Sequence, residues 1–202
     1  MNKKTRTHFF LIALFILAFV GCKKEVKVET DLSNIHLEFF NQDSVKVTYP
    51  DFVKGQPSFL AFIFTHCPDI CPMITNNLQR IQRKLNEEGI SDVKFVSVTF
   101  DPDRDFPSVL KEFASVREIN FDRFSFLTAE KKTVDSLRHQ LKYLAIAGDT
   151  TYGEDKKPSY FFVHTDRIYL LDKNGNVVGN YKGSEVDLEK ILTDVKTLIK
   201  DM

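Results

Sequence analysis

Ser58-Phe-Leu-Ala-Phe-Ile-Phe-Thr-His-Cys-Pro-Asp-Ile-Cys-Pro72 joins a nearly unbroken apolar run to two cysteines and a proline. The run Ser58 to Thr65 has the pattern of a strand buried on both faces of a mostly parallel sheet. Past the cysteines, Ile74, Leu78, Ile81 and Leu85 recur at helical spacing between Pro72 and Glu88, with Gly89 at the expected stop. Proline suits the first turn of a helix, where its missing amide hydrogen costs nothing. Cys71 is therefore expected at or just before the helix start, with Cys67 one turn upstream. Free amide hydrogens and the helix dipole at that end favour thiolate over thiol, which makes the pair both nucleophilic and metal-binding.

Working outward, Val93 to Phe100 reads as a strand, Pro107 to Val116 as a helix, Phe124 to Leu127 as a short strand and Thr133 to Leu144 as a third helix. Alternation of this kind implies crossover connections and a central sheet. Tyr160 to Thr165 and Arg167 to Leu171 are strand-like, Asn174-Gly175 is a two-residue hairpin turn, and Val177 to Tyr181 returns antiparallel. Val186 to Ile199 closes the chain as an amphipathic helix, and Ala145 to Pro158 is the one long irregular stretch. On the amino-terminal side, Ile35 to Phe40 and Ser44 to Tyr49 form a hairpin around Asn41-Gln42-Asp43. The expected fold is α/β: a thioredoxin-like central mixed sheet flanked by helices, extended by an amino-terminal hairpin.

At 202 residues and 43% hydrophobic content, the chain fills one core with a short appendage. Acidic and basic residues balance at 28 each, so no global field points to nucleic acid or to an anionic membrane surface. Nineteen Phe and no Trp, falling mostly in strand-like runs, point to a Phe-packed core. The first residues differ in kind: Lys3, Lys4 and Arg6 precede the charge-free run Phe9 to Val20, which ends at Gly21-Cys22. That run is short against the roughly 20 residues that span a bilayer. It reads as a signal peptide over residues 1–21, and Gly21-Cys22 resembles the lipobox of bacterial lipoproteins, with Cys22 the lipidated residue. Residues 22–34 are then a polar tether and 35–202 the folded domain, exported to the cell envelope and held at the membrane by the lipid alone. With Cys22 so used, Cys67 and Cys71 are left to pair with each other or to hold a soft metal.

Three residues separate these cysteines, one more than in thioredoxin-type redox motifs. Such a pair can close a disulfide, and it also opens a bite for one ion. Two thiolates and an imidazole suit Cu(I), while Zn(II) and a tetragonal Cu(II) site remain open on ligand type. Of the histidines, His36 and His139 read as surface residues. His66 adjoins Cys67 but points to the opposite face if strand geometry persists. His164 lies in the connection where thioredoxin relatives press a cis-proline loop against the dithiol, and it is the natural third ligand.

Phe64-Thr-His-Cys-Pro-Asp-Ile-Cys-Pro72, Thr99-Phe-Asp-Pro-Asp-Arg-Asp-Phe-Pro107, and His164-Thr165 followed by Tyr169-Leu-Leu-Asp-Lys-Asn-Gly175 resemble, in order, the motifs of the Sco/SenC family. The resemblance implies a thioredoxin-like fold and one copper ion, Cu(I) or Cu(II), bound by Cys67, Cys71 and His164. It also implies copper delivery to the dinuclear centre of cytochrome c oxidase, whose copper-bearing subunit or another copper acceptor is the partner. The same redox-active Cys67–Cys71 pair supports an alternative: an envelope thiol:disulfide oxidoreductase that works with a thiol reductant. The family has an aspartate just before the ligand histidine, where this chain has Val163. A carboxylate there that faced the imidazole would orient it and tighten metal binding, although strand alternation sends residues 163 and 164 to opposite faces. Asp101, Asp103, Arg104 and Asp105 read as a turn that caps the helix at Pro107, with a rim that recognises the recipient as the functional alternative. Asp69 stands outside the metal shell, and Asp172 to Asn176 is a hairpin turn.

Overall fold

The computed structural model describes residues 26–152 and 158–202, so the signal-peptide and Cys22 expectations lie outside the described residues. The run at Ser58 becomes β3 (Ser58–Ile63), buried at all six positions. It lies inside a seven-stranded sheet between β4 (Lys94–Thr99), its parallel neighbour, and β10 (Arg167–Leu171), which runs antiparallel to it. β5 (Phe124–Thr128) continues the parallel part next to β4, and β11 (Val177–Lys182) closes one edge. The amino-terminal hairpin, β1 (Leu37–Asn41) and β2 (Lys46–Tyr49), forms the other edge through an antiparallel contact of β1 with β5. The mixed sheet and the hairpin extension are as expected.

The Phe content is explained by register. Phe59, Phe95 and Phe124 are direct partners across β3, β4 and β5. Their rings stack at centroid distances of 5.5 and 4.7 Å, and all are buried. Cross-strand aromatic pairs of this kind lock the register as well as fill the core.

Helix α1 (Ile70–Glu87) follows the dithiol, and α2 (Pro107–Ser115), α3 (Lys131–Gln140) and α4 (Leu188–Asp201) complete the helical layer. The inward stripe of α1 is Cys71, Ile74, Leu78, Ile81 and Leu85. Gly89, at φ +73°, ends that helix in the left-handed region, and Ile90 donates back to the Leu85 carbonyl. Asp187 caps α4 by accepting from the Lys190 amide at 3.0 Å.

Three expectations need correction. The turn at Asn174-Gly175 is longer than two residues: Asp172 Oδ1 accepts from the amides of Asn174 and Asn176, and Gly175 takes φ +87° beneath Tyr49 and Pro50. The stretch read as irregular carries β6 (Ala145–Ala147) and β7 (Thr151–Tyr152), because each finds an antiparallel partner further along, β9 (Phe162–His164) and β8 (Pro158–Ser159). The strand-like segment at Tyr160 to Thr165 is therefore a two-stranded ribbon outside the main sheet. Part of the stretch assigned to the tether is also bound to the domain. Glu29 and Val177 bond through N–H and C=O at 2.7 Å, and Leu32 is fully buried.

Candidate metal centre

The site lies at the carboxyl ends of the parallel strands β3 and β4, where an open α/β sheet exposes strand ends to ligands. β3 runs out at Ile63 and α1 begins at Ile70, so Cys67 sits in the turn between them and Cys71 at the start of the helix. Cys71 falls inside the first helical turn, one step deeper than its expected place at or before the helix start. The Asp69 side chain makes no capping bond. The Cys67 sulfur takes that role, accepting from the Cys71 amide at 3.4 Å. The Cys71 sulfur accepts from the Phe64 amide at 3.4 Å.

The ribbon β6–β9 brings His164 over this pair. The ligand atoms of Cys67, Cys71 and His164 all lie within 4.8 Å of one another, and both cysteines are free thiols. His164 Nδ1 is 3.0 Å from the Thr165 carbonyl and 3.1 Å from the Tyr143 hydroxyl. A carbonyl only accepts, so Nδ1 carries the hydrogen and Nε2 remains for the dithiol. Rings enclose the imidazole: Phe100 at 5.1 Å, Phe64 edge-on at 6.2 Å and Tyr143 near-parallel at 6.4 Å. These rings form an apolar wall on one side of the soft donors, while His164 stays partly exposed.

Electrostatics follow from this packing. A hydrogen bond from Cys71 holds the Cys67 thiol well below its usual range; burial opposes this, and the His164 ring and the amides of Cys71 and Asp69 reinforce it. The same sulfur contact, with burial, pushes Cys71 up. One proton is thus shared unequally, and Cys67 is the thiolate. Burial works against a charged His164, but its bonds to Cys67 and the Thr165 carbonyl outweigh that and raise its pKa. Two sulfurs and one imidazole at these distances fit a soft ion in trigonal coordination.

The remaining expectations divide. His66 is exposed, bonded to Thr65 Oγ1 at 3.1 Å and absent from the cluster; β3 ends at Ile63, so the turn, and not strand alternation, points it away. His36 and His139 are exposed. Val163 is 76% exposed on the outer face of the ribbon, paired with Ile146, while His164 faces inward. Val163→Asp is therefore expected to leave Cu(I) affinity within about twofold in a chelator competition, in place of the 10- to 100-fold gain that a carboxylate on the imidazole would bring. A tenfold or greater gain would show that the carboxylate reaches the imidazole.

The acidic turn is not a helix cap. Phe106 holds the cap position of α2 without a side-chain bond. Asp105, fully buried, accepts instead from the Thr65 amide at 3.0 Å, Thr65 Oγ1 at 2.5 Å and Thr99 Oγ1 at 2.5 Å. Asp101, also buried, accepts from Tyr160 at 2.8 Å and from Arg104. Sequence reasoning missed these partners and Tyr143. The one local signal was an excess of carboxylates at the end of a buried strand, more than a single cap can use.

A dithiol at a strand-to-helix junction, closed by an imidazole from a ribbon, defines a thioredoxin-like protein with a two-thiolate, one-imidazole site. The chain belongs to the SCO1/SenC family, whose model matches residues 27–200. It is 32% identical to the SCO1 protein homolog of Bacillus subtilis over 188 residues, covering 93% of this chain and 92% of that one. A SCO1/SenC family lipoprotein from Bacillus anthracis str. Ames superposes with TM-score 0.70 at 27% identity, over 89% of this chain and 99% of that one. Arabidopsis thaliana ScoI with copper bound superposes with TM-score 0.68 at 26% identity, over 83% and 98%.

Proposed function

We propose that this protein is a copper metallochaperone: it carries one copper ion on Cys67, Cys71 and His164 and passes it to an acceptor. The observation that carries the reading is the convergence of two sulfurs and one imidazole within 4.8 Å, drawn from two separate parts of the chain. A structural dithiol has no need of the imidazole, whereas a trigonal copper site has. Copper is the cargo, and the likeness to a copper-bound ScoI supports its choice over zinc. Likeness to BsSco, a member of the Sco family of cytochrome c oxidase assembly proteins, supports the dinuclear centre of that oxidase as the destination, with the copper-bearing subunit as acceptor. Export and a lipid on Cys22 would hold the domain in the envelope, where that acceptor is reached. Among the described residues no helix is long and apolar enough to cross a membrane.

A second reading has one observation in its favour. Cys67 is held as a thiolate beside a protonated Cys71, the arrangement of a nucleophilic dithiol, which supports thiol:disulfide exchange on the acceptor's cysteines. Closing the Cys67–Cys71 bond from that state would pass two electrons and the one proton of Cys71 to an oxidant, and a thiol reductant would return them.

Copper and the disulfide compete for the same two sulfurs. Reduced protein is expected to bind one copper per chain, with thiolate-to-copper absorption when loaded as Cu(II). Oxidised protein is expected to bind none until a reductant is added. Uptake of zinc with no uptake of copper rejects the chaperone reading. Undiminished copper binding by protein whose two thiols are unreactive rejects the site.

A further inference from the structure

We propose that the turn from Thr99 to Asp105 is a bracket that positions the two halves of the copper site, Asp105 holding the cysteine loop and Asp101 holding the histidine ribbon. The proposal rests on the copper reading for its purpose, though not for its geometry. Asp105 has no exposed surface, and its two oxygens accept from the amide and hydroxyl of Thr65 and from the hydroxyl of Thr99. Thr65 stands two residues before Cys67, whose amide donates to the Phe64 carbonyl at 3.3 Å. One carboxylate thus ties the end of β4 to the loop that aims the sulfurs.

Asp101 acts on the other half. It accepts from the Tyr160 hydroxyl at 2.8 Å and from Arg104 Nε, and the Arg104 guanidinium lies 3.7 Å over the Tyr160 ring. Tyr160 leads into β9, four residues before His164, and its ring meets Phe162 edge-on at 5.5 Å. The two carboxylates lie one turn apart, with the Asp105 amide donating to the Asp101 carbonyl at 3.0 Å, so that turn sets the loop and the ribbon relative to each other. Burying two carboxylates is costly unless each is fully hydrogen-bonded. Neither caps α2, and each makes at least one of its bonds to a segment that carries a ligand, Asp105 to Thr65 and Asp101 to Tyr160.

The two arms predict different defects. In reduced, metal-free protein, Asp105→Ala and Thr65→Val are expected to change the Cys67 alkylation rate and the dithiol–disulfide potential. Asp105→Asn, which can accept and donate in the same shape, is expected to restore both. Tyr160→Phe is expected to shift or broaden the His164 ring resonances and to weaken Cu(I) binding about tenfold, the low end for an outer partner of a metal ligand, while moving the dithiol potential less than Thr65→Val does. Because Asp105→Ala empties a buried position and can fail to fold, Thr65→Val and Tyr160→Phe carry the test independently. Wild-type thiol reactivity in Thr65→Val, or wild-type His164 resonances in Tyr160→Phe, overturns that arm of the bracket. A larger change of dithiol potential in Tyr160→Phe than in Thr65→Val overturns the division of labour. If the wild-type protein takes up no copper, the copper reading falls, and the metal-free thiol rates and His164 resonances still decide the bracket.

Discussion

Replacing Cys67 or Cys71 by alanine is expected to abolish stable copper binding, whereas His164→Ala is expected to leave a weaker two-sulfur site with dithiol exchange intact. Each sulfur supplies a donor that no neighbour replaces: among the described residues these three side chains form the one His, Cys, Asp and Glu cluster of ligating geometry. Loss of one sulfur leaves a thiolate and an imidazole held by different elements, with no bidentate anchor. Loss of the imidazole leaves both sulfurs fixed by the helix amide and the Phe64 amide. The cost of His164→Ala is expected to reach at least about 100-fold in affinity, beyond the usual range for outer partners of a ligand. Chelator competition with Cu(I), read beside the disulfide potential of the same variant, separates the two functional readings. Equal affinity and spectrum in His164→Ala and wild type would remove the main support for a chaperone and favour the oxidoreductase.

The second large effect concerns stability. Phe95 has no exposed surface and sits between Phe59 and Phe124 in direct register. Phe95→Ala removes both stacking partners at once and leaves a cavity between three strands, which is expected to cost about 3 to 5 kcal/mol. Against a domain stability of about 5 to 15 kcal/mol, that brings the protein close to unfolding. Phe95 lies near the start of β4 and the bracket at its far end, so copper stoichiometry is expected to survive at low temperature. Denaturant midpoints at an unchanged slope measure the effect, and a loss under about 1 kcal/mol would mean that the site collapses around the missing ring.

Sequence alone determined the elements whose signal is local. A six-residue apolar run admits little other than a doubly buried strand, and a proline after the second cysteine with leucines and isoleucines at helical spacing sets a helix directly after it. That the strands join in one central sheet followed from alternation of strand and helix, while their order is read from the fold. Spacing and motif also singled out Cys67, Cys71 and the distant His164, whose ligand atoms the fold brings within 4.8 Å of one another. Tertiary structure alone decided where the donors meet and what holds them. β6 and β9 are three residues each and lack the length to signal a ribbon, yet pairing at Ala145 and His164 is what turns the imidazole inward and Val163 outward. The acidic turn read as a cap because Asp before Pro usually is one. In the fold, its carboxylates reach Thr65, forty residues away in sequence, and Tyr160, fifty-nine away. Local sequence carries no record of such contacts, since they exist only once β3, β4 and the ribbon lie side by side.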